Sequence, residues 1–224
     1  KDEYALSIEL YDLAQNSLRM TGDFAAMNSY ILRVIANAKC FHEKVNSYRN
    51  LVGHLTSAGK SAEALSQCAF VLNENGEPLP KNYDDITDAQ ALREFVAVLA
   101  RMGLKGEKEI LLIPKLTDKK QLVNLEFLQS IITNGANLSN PNVAGIACFR
   151  MIRISLKHGV SEASVLAFVS MASTLIFAND DLKGAFFYAN LALQTLNRSD
   201  FHADTMKARA FVGLYGFILI YRDP

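Results

Sequence analysis

Strand-like alternation is nearly missing from this 224-residue sequence, cysteine is limited to three residues, and neither sign of charge dominates. Each scarcity excludes something. Cys40, Cys68 and Cys148 are odd in number and widely spaced, with no CxxC or CxxH pair. Neither a disulfide framework nor a zinc site is expected, and the thiols read as buried side chains of a protein from a reducing compartment, placed in the cytoplasm. Lysine plus arginine number 23 and aspartate plus glutamate 23. That balance argues against nucleic-acid or membrane-surface binding driven by bulk charge. No apolar run is read as approaching membrane-spanning length, so no membrane insertion is expected. Without a secretory leader pattern, the sequons Asn137-Leu138-Ser139 and Asn197-Arg198-Ser199 carry little weight.

What is present is helical periodicity. Half of the residues are hydrophobic, enough for a sizeable core. Tyr4, Ile8, Tyr11, Ala14 and Leu18 recur at three- and four-residue steps and define one apolar face, which ends at Thr21-Gly22-Asp23. Further helices are expected over about 24–38, 42–57 and 62–73. Gly76-Glu77-Pro78-Leu79-Pro80 breaks the rhythm, because proline lacks a donor and restricts its predecessor. Thr87 with Gln90, and Asp118 with Gln121, have capping-box spacing. Asn140-Pro141 offers an N-cap followed by a first-turn proline, and Ser161 caps a helix running to about Phe177. Two more helices fall near 182–197 and 203–221. Short loops between about ten or eleven amphipathic helices imply antiparallel neighbours.

Three segments share one pattern. Leu18, Gly22, Asp23 and Met27 precede Ile31 and Val34; Leu55, Gly59, Lys60 and Ala64 precede Cys68 and Val71; Ile176, Asp180, Asp181 and Ala185 precede Ala189 and Ala192. A large apolar residue stands four before the turn and a small or medium one five after it, the requirement of a tight helical hairpin. This resembles the tetratricopeptide repeat, best over Leu51–Leu72, although Val52 stands where the family prefers glycine and Gly76 where it prefers proline. The expected fold is therefore all-α: antiparallel helical hairpins stacked as a tetratricopeptide-like α-solenoid, irregular in the middle. Residues 1–80 supply two hairpins, 81–160 a divergent helical segment, and 161–224 a further hairpin and a C-terminal helix, together one continuous helical-repeat domain.

A wider resemblance rests on Gly76-Glu77-Pro78-Leu79-Pro80, Leu116-Thr117-Asp118, Asn140-Pro141-Asn142, Met151 to Gly159, Phe168, and Ala189 to Leu193. That order is similar to the helical region of very large signalling proteins, which join a protein-kinase-like domain to an AAA/STAND-type ATPase domain and often a GAF domain and a histidine kinase. The resemblance implies a sensing or scaffolding region rather than a catalyst, and it transfers no functional residue. The abrupt opening at Lys1-Asp2-Glu3 and the stop at Pro224 fit the expectation of a piece of a larger protein.

Residues with chemical potential are few. Gly59-Lys60-Ser61 resembles the end of a phosphate-binding loop, but His54 stands where that motif needs glycine and a helix precedes it, so a repeat turn is expected. His42, His54, His158 and His202 lack a ligand partner at helical spacing. Asp84-Asp85 and Asp180-Asp181 read as acids before helix starts, where they complement the dipole. In Met151–His158 and its flank, Arg150, Arg153 and Lys157 share one side of a core helix and read as its solvated basic face. Gly213 and Gly216 within the last helix point to close packing on a neighbour.

The expected role is non-catalytic: interaction with a protein or with flanking domains of the same chain, and regulation of an ATPase or kinase. The concave face of the clearest repeat exposes Asn46, Arg49, Gly53 and Ser57 as partner-binding candidates. No catalytic, metal or cofactor residues are assigned. The alternative is an effector-sensing array holding a small molecule, for which a large, mostly apolar cavity with a few convergent polar groups would speak.

Overall fold

The computed structural model describes residues 2–80, 83–103, 107–135, 140–198, 200 and 204–221. Among them are eleven α-helices, two single-turn 3-10 segments and no sheet. The chain divides into two compact units, Lys1–Lys81 and Asn82–Pro224. His202, Ser199, the sequon at 137–139 and the side chain of Asp84 lie outside what is described.

The first unit holds α1 (Asp2–Thr21), α2 (Phe24–Asn37), α3 (Phe41–Ser57) and α4 (Ser61–Glu74). α1 lies on α2 and α3, α2 on α3, and α3 on α4. The turns are built as the repeated pattern demands. Gly22 (φ 79°), Gly59 (φ 73°) and Gly76 (φ 77°) take the left-handed conformation that glycine adopts without a Cβ penalty. The next amide then reaches five residues back: Asp23 N donates to Leu18 O at 3.0 Å, Lys60 N to Leu55 O at 2.9 Å, and Glu77 N to Leu72 O at 2.8 Å. Asp23 caps α2 by accepting from Ala26 N at 3.1 Å. The small or medium residue after each turn is fully enclosed: Met27 and Ala64 are both 0% exposed. Ile31, Val34, Cys68 and Val71 follow them into the core.

A polar seam crosses this core. Gln15 Nε2 donates to Ser47 Oγ at 3.0 Å, and Asn50 Nδ2 reaches Asn16 Oδ1 at 3.2 Å. Gln15, Ser47 and Asn50 are all buried, so each needs its partner, and the seam fixes the register of α1 on α3. At the other end Tyr4 Oη donates to Glu43 Oε2 at 2.7 Å, and the same carboxylate accepts from Lys39 N at 2.8 Å. Cys40, expected to be buried, is exposed because it is the extended N-cap residue of α3.

The second unit begins with a 3-10 turn at Tyr83–Asp85. It continues through α5 (Asp88–Gly103), α6 (Glu107–Leu111), α7 (Lys119–Gly135), α8 (Asn142–His158), α9 (Glu162–Asn179), α10 (Leu182–Leu196) and α11 (Asp204–Phe217). α7 through α10 pack in sequence order, with α5 on α8 and α11 on α9. The middle and C-terminal segments thus share one core across the α8–α9 contact. Thr87 and Gln90 form the expected reciprocal box, at 3.0 and 3.3 Å. Asp118 Oδ1 accepts from Lys120 N at 2.8 Å and Gln121 N at 3.3 Å. Asn140 caps α8 through Asn142 N at 3.0 Å, while its amide donates to Tyr83 O and Ile86 O at 2.9 and 3.0 Å. One side chain thereby ties the entry to α5 onto the start of α8. At the last repeated turn Asp180 replaces glycine with φ 52°, and Asp181 accepts from Gly184 N at 2.8 Å.

Two features depart from the expected pattern. Residues 114–116 pair with the turn after α8 through an isolated bridge: Leu116 N donates to Val160 O at 2.8 Å and Val160 N to Pro114 O at 2.9 Å. Gly159 (φ 129°) permits this, since a Cβ there would lie 2.9 Å from Leu116 Cα, Leu116 N and Pro114 O. Second, α9 has the length and composition of a membrane span, a correction to the reading that no run approaches it, although half of it is buried inside the unit. Its Ser, Thr and Asn residues broke the apolar run in sequence; Ser173 and Thr174 satisfy their hydroxyls on the carbonyls of Val169 and Ser170 at 3.2 and 2.9 Å.

Candidate functional site

The second unit contains a cavity of about 1140 Å³ bounded by α5, α7, α8, α9 and α11. Small-molecule sites generally span roughly 300–1,000 Å³. This space exists because small residues face it where neighbouring helices carry large ones. A Cβ added at Gly145 would meet only Phe149, at 3.7 Å. Ala91, Ala144 and Gly213 are further small residues in the wall. Gly213 has a second role: a Cβ there would come within 2.5 Å of Val169 Cγ1, so glycine sets how closely α11 approaches α9. Gly216, paired with it in the sequence reading, has no atom within 4 Å of its would-be Cβ.

The wall is mostly apolar. Phe95 and Phe149 meet with ring centroids 5.4 Å apart, and Leu166, Val169 and Ile132 continue the surface. Leu92 and Phe177 form an exposed apolar rim, 60% and 64% accessible. Glu94 holds the α5 side in place, meeting Arg150 Nε and Arg153 Nη1 at 3.2 Å each. The side expected to be a solvated basic face is therefore, at two of its three members, a clamp between α5 and α8. These ion pairs are partly shielded, and a carboxylate held from two guanidinium groups restricts both helices.

Among the described residues two charged side chains line the cavity, Asp88 and Arg209. Asp88 Oδ1 accepts from Asn142 Nδ2 at 2.7 Å. Arg209 is exposed and makes no ion pair or hydrogen bond with any described residue. Half-buried Gln129 and Ser170 also turn polar groups to the wall. Cys148 contributes a thiol that donates to Ala167 O at 3.3 Å. Burial pushes it up to about 12, so it stays protonated and offers no thiolate nucleophile near neutral pH.

The sequence-predicted residues lie elsewhere. Asn46, Arg49, Gly53 and Ser57 form one stripe along α3 of the first unit, with Asn46 half-buried and the others exposed. Arg49 Nη1 donates to Asn46 Oδ1 at 2.9 Å, and Ser57 Oγ to Gly53 O at 3.0 Å. Gly53 has open space around it. Gly59-Lys60-Ser61 is the α3–α4 turn, where Lys60 meets Glu63 at 3.3 Å. His54 stacks on Phe24 at 4.4 Å. Among the described residues no group of three or more His, Cys, Asp or Glu side chains is gathered as a metal site. None of the cavity residues was singled out as a site in the sequence, because Gly145, Cys148, Leu166 and Val169 read as ordinary core positions.

Comparison of the chain with protein-family models, with curated proteins and with solved structures finds no match.

Proposed function

We propose that this chain is a non-catalytic, effector-sensing helical domain whose second unit takes a small, largely apolar molecule in the α5–α7–α8–α9–α11 cavity. The observation that carries the reading is that cavity: about 1140 Å³, walled mostly by aliphatic and aromatic groups, with Asp88, Gln129, Thr133, Asn142, Ser170 and Arg209 among its polar lining residues. The rim supports it, since Leu92 and Phe177 leave apolar surface in water that a ligand would cover. Five helices meet at the space, so an occupant touches several elements at once and can bias how they pack. In the wider setting suggested by the sequence resemblance, such a bias would be passed to ATPase or kinase modules of a larger signalling protein.

A thermal-unfolding screen against metabolites and nucleotides tests this. A ligand that binds only the folded state raises the midpoint, by about 2.7 kcal/mol of added stability at a hundredfold excess over Kd. Ser170→Phe, which pushes a ring into the cavity, should abolish the shift. A flat response across the library, or a shift that Ser170→Phe leaves untouched, defeats the proposal.

The second reading is interaction with a protein or a flanking domain through a tetratricopeptide-like first unit. It is favoured by the way α1 lies on both α2 and α3, by the shared turn chemistry at Gly22 and Gly59, and by the open stripe Asn46, Arg49, Gly53 and Ser57. Arg49→Glu, reversing the one charge on that stripe, should weaken such a partner without moving the ligand-induced midpoint.

A further inference from the structure

We infer that the occupant of the cavity is an amphipathic monoanion: an apolar chain or ring system lodged among α5, α8 and α9, with a carboxylate that meets Arg209 at the rim. The inference rests on the reading of the cavity as a ligand site and adds the chemistry of the ligand's head. It follows from which charge in the wall is still uncommitted. Of the two charged lining residues, Asp88 already accepts from Asn142 at 2.7 Å. It also sits in the first turn of α5, where the helix dipole favours its negative charge. Arg209 has neither hydrogen bond nor ion pair among the described residues. Among the described residues Arg209 is thus the charged lining group with no partner, and an anionic head group is the ligand chemistry that engages it.

Position supports the same conclusion. Arg209 is exposed, and the walls behind it are Phe95, Phe149, Leu166 and Val169. A guanidinium at the edge of an apolar cleft keeps its own hydration while offering two parallel donors to a carboxylate. A ligand with the opposite polarity, charged end inward, would have to desolvate its head against aromatic rings with no countercharge. Gln129 and Ser170 allow one further polar atom along the chain without demanding a second charge.

The test uses three ten-carbon probes of one shape: decanoate, decan-1-ol and decylamine, titrated calorimetrically into the whole chain. Decanoate should bind about fivefold to twentyfold more tightly than decan-1-ol, the range for a charge-assisted contact that solvent partly screens, with decylamine weakest. Arg209→Gln should bring decanoate down to the level of decan-1-ol and leave decan-1-ol unchanged, and Arg209→Lys should retain part of the preference. Equal binding of acid and alcohol, or a preference that survives Arg209→Gln, overturns the head-group assignment while the cavity reading stands. Binding of none of the three probes overturns the cavity reading itself. So does binding that persists undiminished in both Ser170→Phe and Gly145→Leu, provided circular dichroism shows those variants folded.

Discussion

Replacing Gly159 by alanine probes whether the bridge between residues 114–116 and the α8–α9 turn organises the second unit. The native backbone there has φ 129° and ψ 157°, a region essentially reserved for glycine. Forcing an L-residue into such a conformation costs about 1–3 kcal/mol. The new Cβ would also sit 2.9 Å from three backbone atoms of 114–116, none of which can rotate away. The segment must move, and the hydrogen bonds of Leu116 N to Val160 O and Val160 N to Pro114 O, 2.8 and 2.9 Å, go with it. Each contributes on the order of 1 kcal/mol. The expected loss is about 3–5 kcal/mol, a large share of the roughly 5–15 kcal/mol that holds a typical domain. Gly53→Ala is the matched control. Gly53 lies inside α3, exposed, with nothing within 4 Å of its would-be Cβ. Alanine there should stabilise the first unit by about 0.5–1 kcal/mol through backbone entropy. Urea titration read by hydrogen exchange, with peptides of α8 and α9 scored apart from those of α3, separates the two units. Gly159→Ala falling within about 0.5 kcal/mol of the parent, the ordinary scatter of neutral substitutions, would refute the reasoning.

Two further substitutions and one pH dependence follow. Gly213→Ala should loosen α11, because its Cβ would lie 2.5 Å from Val169 Cγ1 and overpacking costs about 1–3 kcal/mol, whereas Gly216→Ala, with open space, should be neutral or stabilising; protection of α11 amides distinguishes the pair. In the first unit the hydrogen bond from Tyr4 is the main influence holding the Glu43 carboxyl below its ordinary value. A lowered folded-state value means that the contribution is present above the unfolded pKa and is lost as pH falls through the folded one. The thermal midpoint of the first unit should therefore drop below about pH 4.5, and Tyr4→Phe should flatten that drop while leaving α5–α11 unaffected. An acid profile unchanged in Tyr4→Phe would show that the contact carries no pH-linked stability.

The hairpins were legible because their chemistry is local. Leu18, Gly22, Asp23 and Met27 lie within ten consecutive residues, and each does one job: carbonyl acceptor, left-handed turn, cap, and enclosed core residue. At Leu55 to Ala64 the acceptor, the left-handed turn and the enclosed residue recur, while Lys60 at the cap position makes no side-chain cap hydrogen bond. At the third site the left-handed residue is Asp180, which tolerates φ 52° where most side chains would not. The cavity was not legible, because it depends on how α5 and α11 stand off α8 and α9. Gly145 and Ala144 look like positions for close helix contact, and only the arrangement of the surrounding helices turns them into open space. The 114–116 bridge was hidden for a related reason: its partner, Val160, is remote in sequence, and Arg198, whose Nη1 donates to the neighbouring Ile113 O at 2.6 Å, is more remote still. The basic side of α8 was misread because a one-dimensional pattern cannot show that Glu94 of a different helix stands opposite Arg150 and Arg153.

The energetics of the cavity bear on what kind of ligand suits it. A ligand that buries about 300 Å² of apolar surface gains roughly 7 kcal/mol at ~25 cal/mol per Å². Immobilising it costs about 4 kcal/mol even at the low end of the range. What remains, about 3 kcal/mol, corresponds to a Kd above 1 mM. Apolar contact alone therefore gives weak, unselective filling, in keeping with a wall of Phe, Leu and Val side chains that discriminates poorly between chains of similar width. A second contribution is needed for a useful affinity, and among the described residues Arg209 is a charged group of the wall without a partner. A carboxylate there, tightening binding about fivefold to twentyfold as a charge-assisted contact that solvent partly screens, would bring the Kd to roughly 0.3–1 mM. The apolar body then sets occupancy and the head group sets selectivity. That division places the discriminating contact on α11, the helix whose distance from α9 is set by Gly213. A ligand gripping Arg209 while filling the space beside Val169 would couple head-group recognition to the α9–α11 contact, and such a contact is one through which an effector could alter the domain's outer surface.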